Sequence, residues 1–202
     1  MDDYLANLLE KLKNSKDAKT YIEIGDCYCF GRHTTKNEQN AMYYYQEAAN
    51  MGSARGECKV GTLYYYGAGV RQDNRRASKY FKSAADKGDL DAMYLLGEMY
   101  WEGAIGWGKG KAFELWMKAA KQHHPKSQLR LGDCYITGVG EDIDYAKATY
   151  WYACAYIRKE KYASSKAKDQ LNQLISYKKV TAAYVQNMIA RVRAEHPEYI
   201  NG

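Results

Sequence analysis

Leu96-Gly97-Glu98-Met99-Tyr100-Trp101-Glu102-Gly103, followed by Lys111-Ala112-Phe113-Glu114-Leu115-Trp116-Met117-Lys118-Ala119-Ala120, is the stretch on which the fold turns. Its skeleton, Gly-x-x-Tyr-x-x-Gly, returns at Gly25/Tyr28/Gly31, Gly61/Tyr64/Gly67 and Gly132/Tyr135/Gly138. Successive copies are 36, 36 and 35 residues apart, and self-similarity at such a period marks a stacked array of helical repeats. An Ala-x-x-aromatic-aromatic block follows in register at Ala41-Tyr44-Tyr45, Ala77-Tyr80-Phe81 and Ala148-Trp151-Tyr152, with Ala112-Leu115-Trp116 close to it.

Each repeat reads as two helices. In the first repeat, about 17–51, Gly31 supplies the left-handed stop of the first helix. A polar connector, Arg32–Asn37, then leads to Asn37, four residues before Ala41. Asp73 and Asp144 share that column, so it provides the oxygen that caps each second helix. The repeats at about 53–87 and 125–156 follow the same plan. In the third, the connector is Gly-rich and Gly108 stands in the cap column. A glycine inside a helix costs roughly 1 kcal/mol against alanine, so Gly25, Gly61, Gly97 and Gly132 call for a close helix approach. The Ala pairs 48/49, 84/85 and 119/120 are the expected facing surface.

The ends differ from the repeats. Residues 2–14 form an amphipathic helix with Leu5, Leu8, Leu9 and Leu12 on one stripe and Asp2 or Asp3 as cap. Beyond Tyr156 two more amphipathic helices are expected. One carries Tyr162, Ala163, Ala167, Leu171, Leu174 and Ile175, and the other Val180, Ala183, Tyr184, Asn187 and Ile189. The sequence thus predicts an all-α, right-handed α-solenoid in one domain, 1–202. Residues 2–14 and 157–196 cap its open ends, as terminal repeats require.

Chemistry is sparse. The five cysteines show no metal-ligand spacing, and Cys27 and Cys134 share a column with Leu63 and Met99. They read as small apolar core groups of a chain in a reducing compartment, without a disulfide framework. No basic leader or membrane-length apolar run occurs, so a cytoplasmic location without membrane insertion is expected. Gly103-x4-Gly108-Lys109 resembles a phosphate loop superficially, but Gly110 replaces the required Ser or Thr and a helix precedes it. His33, His123, His124 and His196 form no helical i, i+4 pair, so neither a metal centre nor any cofactor is expected. Asp26, Glu98 and Asp133 share one column, too far apart for joint acid–base work, and read as recognition charges or solvated groups. Neither catalysis nor a small-molecule substrate is expected.

These blocks resemble the Sel1-like repeat family of the tetratricopeptide-like helical superfamily. The resemblance lies in Leu-Gly-x-Met-Tyr-x-x-Gly at 96–103, Gly-Ala-Gly-Val at 67–70 with Asp73, and Lys-Ala…Trp…Ala-Ala at 111–120. It implies a non-enzymatic adaptor, scaffold, or immunity or accessory protein of bacteria that binds a protein partner. A cysteine-rich branch of the family bridges the helices of each repeat, whereas here the cysteines do not recur in paired columns. By resemblance the first helices line a concave groove. The candidate partner-binding residues there are Arg55, Tyr65, Tyr66, Tyr94, Glu98 and Trp101. Rings at such positions serve either as interaction anchors or as packing between repeats.

The formal charge is +6, and residues 155–202 hold nearly all of the excess. There nine Lys/Arg, Lys159 among them, face four carboxylates. The alternative reading is therefore a nucleic-acid-associated protein using the basic C-terminal helices. No aromatic or motif context accompanies that charge, so a protein partner is expected instead of nucleic acid.

Overall fold

The computed structural model describes residues 3–158 and 160–201, with backbone alone at 200 and 201. The expected cap role of Asp2 and the charge of Lys159 fall outside these residues. Among the described residues the chain is helical throughout, with no strand. The helices are α1 (Asp3–Asn14), α2 (Ala18–Phe30), α3 (Glu38–Asn50), α4 (Ala54–Tyr66), α5 (Asn74–Asp86) and α6 (Leu90–Trp101), continuing with α7 (Lys109–Ala120), α8 (Pro125–Thr137), α9 (Tyr145–Ile157), α10 (Lys161–Ser176), α11 (Ala182–Glu195) and α12 (Glu198–Asn201). Two compact units divide the chain, Met1–Met99 and Tyr100–Gly202. In the first, α2 packs on α3, α3 on α4 and α4 on α5; in the second, α7 packs on α8 and α8 on α9. Neighbours in sequence are neighbours in space, as an all-α repeat fold requires.

The helix boundaries follow from side chains that satisfy otherwise orphaned amides. Asn37, Asp73 and Asp144 each accept a hydrogen bond from the third residue of the following helix, at 2.9, 2.9 and 2.8 Å. Gly108 has no side chain to accept such a bond. A second cap column opens the first helices: Asp17, Ser53, Asp89 and His124. It recurs at the repeat period, but its residue types differ, which hid it in the sequence. Gly31, Gly67 and Gly138, with φ near 65–70°, end α2, α4 and α8.

The seam within each repeat differs from the expectation. A Cβ on Gly25 would stand 2.5 Å from the Tyr45 ring, one on Gly61 2.8 Å from Phe81, and one on Gly132 2.2 Å from Tyr152. The surface facing each of these glycines is therefore an aromatic ring from the second helix, not an alanine pair. All three rings are fully buried, and a ring needs the space that Cβ would take. The alanine column faces elsewhere: Ala48 and Ala49 lie 2.7–2.9 Å from a Cβ placed on Gly56 of the next repeat. Position 56 belongs to a column of small buried residues, Thr20, Gly56, Ala92 and Ser127. Small meets small between α3 and α4.

The carboxylate column also has a structural task. The Tyr45 hydroxyl donates to Asp26 at 2.6 Å and the Tyr152 hydroxyl to Asp133 at 2.8 Å. Burial, together with the adjacent carboxylate, pushes both phenols well above their ordinary value. The second repeat has Phe81 for Tyr and Thr62 for Asp, so the pair changes together. Asp26 and Asp133 thus anchor the seam instead of standing as solvated or recognition charges. A double-mutant cycle checks this. Tyr152→Phe alone is expected to cost about 1 kcal/mol, and Tyr152→Phe with Asp133→Thr less than the sum of the two single changes. Strict additivity in chemical denaturation would contradict the pairing.

The ends are covered. Leu5 and Leu8 of α1 are buried with Ile24 and Cys27, and Leu9 and Leu12 pack against the same cluster. In the second unit α10 and α11 both pack on α9. The buried face of α10 is Ala163, Ala167, Leu171 and Leu174, much as expected, while Tyr162 is exposed. That of α11 is Val185, Met188, Ile189 and Val192. Ala183, Tyr184 and Asn187 lie outside, and Val180 precedes the helix, which Thr181 caps. All five cysteines are thiols, four of them buried. Burial drives the Cys154 thiol up to about 12.

Candidate functional site

Four of the six candidate partner-binding residues, Arg55, Tyr65, Tyr66 and Tyr94, lie on first helices of the first unit and reach its surface. Arg55, at the start of α4, pairs with Asp91 and lies 3.7 Å from Asp89. Asp89 also caps α6, so Arg55 fastens two successive first helices while remaining half-exposed. Tyr65 is half-buried, edge-on to Tyr66 at 4.9 Å and to Phe81 at 6.3 Å between ring centroids. Tyr66 is 67% exposed. Tyr94 is half-buried one turn beyond Asp91.

The other two serve differently. Glu98 is only 9% exposed, so it offers little charge to a partner. Trp101 lies in the second unit, half-buried, with its ring 5.4 Å from that of fully buried Trp116 and the Lys109 ammonium 4.9 Å above it. That contact is the packing role which sequence weighed against a groove role. Phe30 occupies in α2 the column that Tyr66 occupies in α4, and it is 56% exposed. Arg32 and Lys59 stand 5.2 and 5.6 Å from its ring centroid. Lys59 is fixed there by a 2.7 Å ion pair with Asp26.

A second constellation lies in the second unit. His123, in the turn between α7 and α8, meets His196 and Glu198 from the C-terminal segment. One ligand atom of each lies within 4.8 Å of the others. His123 Nε2 is 3.8 Å and His196 Nδ1 3.1 Å from the Glu198 carboxylate. On the far side of each imidazole is a tyrosine hydroxyl: Tyr199 at 2.6 Å from His123 Nδ1, and Tyr150 at 3.4 Å from His196 Nε2. Gln128 Nε2 donates to the same Tyr199 hydroxyl at 3.1 Å. Burial, then His196 and Arg158, hold the His123 imidazole below its ordinary value despite Glu198.

The search for helical i, i+4 histidine pairs missed this cluster, since its members are 73 and 75 residues apart in the chain. One signal was available. Gly52 and Gly88 end α3 and α5 at φ 84° and 95°, and His123 fills the same repeat position at φ 67°. A histidine stands where the repeat uses glycine.

Known proteins place this geometry in context. No curated protein matches the chain. Among solved structures, c5321, a protective antigen present in uropathogenic Escherichia coli strains displaying an SLR fold, is 33% identical with a TM-score of 0.75; the match covers 86% of this chain and 36% of that one. The chain therefore spans little more than a third of that antigen. A Sel1 repeat protein from Oxalobacter formigenes is 26% identical, with a TM-score of 0.72 over 85% of this chain and 70% of the other. Immunity protein Pa5087 from Pseudomonas aeruginosa shares the fold at 15% identity and a TM-score of 0.58, over 98% of this chain and 78% of its own. The Sel1 repeat model matches four times in succession, at residues 18–53, 54–89, 90–124 and 125–158. Such repeats generally serve as protein-interaction modules. With its four copies covering most of the sequence and matching the helix pairs observed, the chain belongs to the Sel1 repeat family.

Proposed function

We propose that this chain binds a protein partner through the first-helix face of its first unit, with Tyr65, Tyr66 and Tyr94 as apolar contacts and Arg55 at the margin. The observation that carries this reading is the exposure of Phe30 and Tyr66, two large rings at one column of successive first helices. Other exposed rings, such as Tyr43, Trp107 and Tyr177, do not recur in this way. Aromatic side chains that keep few conformations lose little entropy on binding and dominate interface energy. Arg32 beside Phe30 favours a partner segment whose apolar anchor is flanked by a carboxylate. An adaptor, a scaffold and an immunity or accessory protein would each use such a face.

The test begins with the partner captured on the full chain from its source cell. Tyr66→Ala is expected to weaken binding by about tenfold or more, a loss of at least ~1.4 kcal/mol. Its melting temperature should stay unchanged, since the ring is mostly in solvent. Tyr43→Ala, on α3, should leave the affinity as it was. Equal affinity of all three proteins would overturn this reading.

A further inference from the structure

We infer that His123, His196 and Glu198 form a binding site for a zinc-class divalent cation that ties the C-terminal segment to the turn between α7 and α8. Zinc takes imidazole nitrogen and carboxylate oxygen at about 2.0–2.2 Å in tetrahedral array, which sets its ligands about 3.3 Å apart. The observed 3.1 and 3.8 Å separations to Glu198 bracket that value. Small side-chain rotations bring the third pair, within 4.8 Å, to the same spacing. Two imidazoles and one carboxylate leave a fourth position for water. His123 and Glu198 are partly exposed, so the ion has a route in.

The outer layer separates this trio from a chance cluster. A metal-bound imidazole keeps a hydrogen on its other nitrogen, and a partner there fixes both tautomer and ring orientation. Here the Tyr199 and Tyr150 hydroxyls occupy those positions. Tyr199 is itself 3% exposed and held by Gln128. Arg158 is the nearby cation, and it lies over the Tyr199 ring, 4.8 Å from its centroid.

The structural alternative, a hydrogen-bonded cluster without an ion, accounts for the Tyr199 contact but needs no carboxylate facing both rings.

Calorimetric titration of the chelator-stripped full chain with zinc chloride tests this. One equivalent is expected to bind, and zinc at ~100 times Kd should raise the melting temperature. Glu198→Gln, which preserves shape, should weaken zinc by at least about tenfold, the least that even outer-layer changes cost in such sites. His123→Gly should abolish the zinc-induced rise in melting temperature. Absence of zinc binding by the wild-type chain would overturn the site. So would unchanged affinity in both variants, which would assign the ion to thiols or other surface groups.

Discussion

Gly132→Ala is expected to destabilise the protein by about 2–3 kcal/mol, lowering the melting temperature by roughly 5–10 °C for a chain of this size. On propensity alone the same change would stabilise a helix by about 1 kcal/mol. The sign reverses because the new methyl would sit 2.2 Å from the Tyr152 ring. That ring has nowhere to go. It is fully buried, and its hydroxyl is bonded to Asp133, the residue next to the glycine. Gly110 is the internal control: it lies within α7, and a Cβ there meets nothing within 4 Å. Gly110→Ala should be neutral or stabilising by up to about 1 kcal/mol. Thermal denaturation of the two variants should therefore show shifts of opposite sign. Equal stability of Gly132→Ala and wild type would contradict the close seam.

Ending the chain after Arg158 is expected to cause self-association or precipitation. It removes α10 and α11, and with them the buried Leu171, Leu174, Val185, Met188, Ile189 and Val192. Burial of each such side chain contributes about 1.5–3 kcal/mol before entropy is counted, against a typical net stability of only ~5–15 kcal/mol. The face of α9 that these helices cover becomes an apolar surface open to association. Size-exclusion chromatography should show oligomers or precipitate. A truncated monomer with unchanged melting would remove the capping role.

The repeat was legible because a helix pair written four times repeats its constraints at fixed spacing. The glycines, the Gly31, Gly67 and Gly138 stops, and the Asn37, Asp73 and Asp144 caps each recur in register. What faces a glycine was harder to read. An alanine column and an aromatic column both follow at helical spacing, and only packing shows that Tyr45, Phe81 and Tyr152 face the glycines. The first-helix caps were obscured because Asp, Ser, Asp and His do one job with different atoms. For α11 the apolar residues are few and interspersed with alanine, so two stripes fit the sequence and burial selects one. Of the candidate face, Phe30 and Tyr66 share one column of the repeat, whereas the burial of Glu98 appears only in the packing. The His123, His196 and Glu198 cluster joins a turn to the chain end, and no local pattern encodes such a meeting.

The reading of this chain as a partner-binding repeat module is tested most directly by photo-crosslinking in the presence of its captured partner. A benzophenone-bearing residue is placed at position 66, on the first-helix face, or at position 43, which is 58% exposed on α3. The account predicts a covalent adduct with the partner from position 66 and none from position 43. An adduct from position 43 alone, or from neither position while the complex is intact, would contradict it.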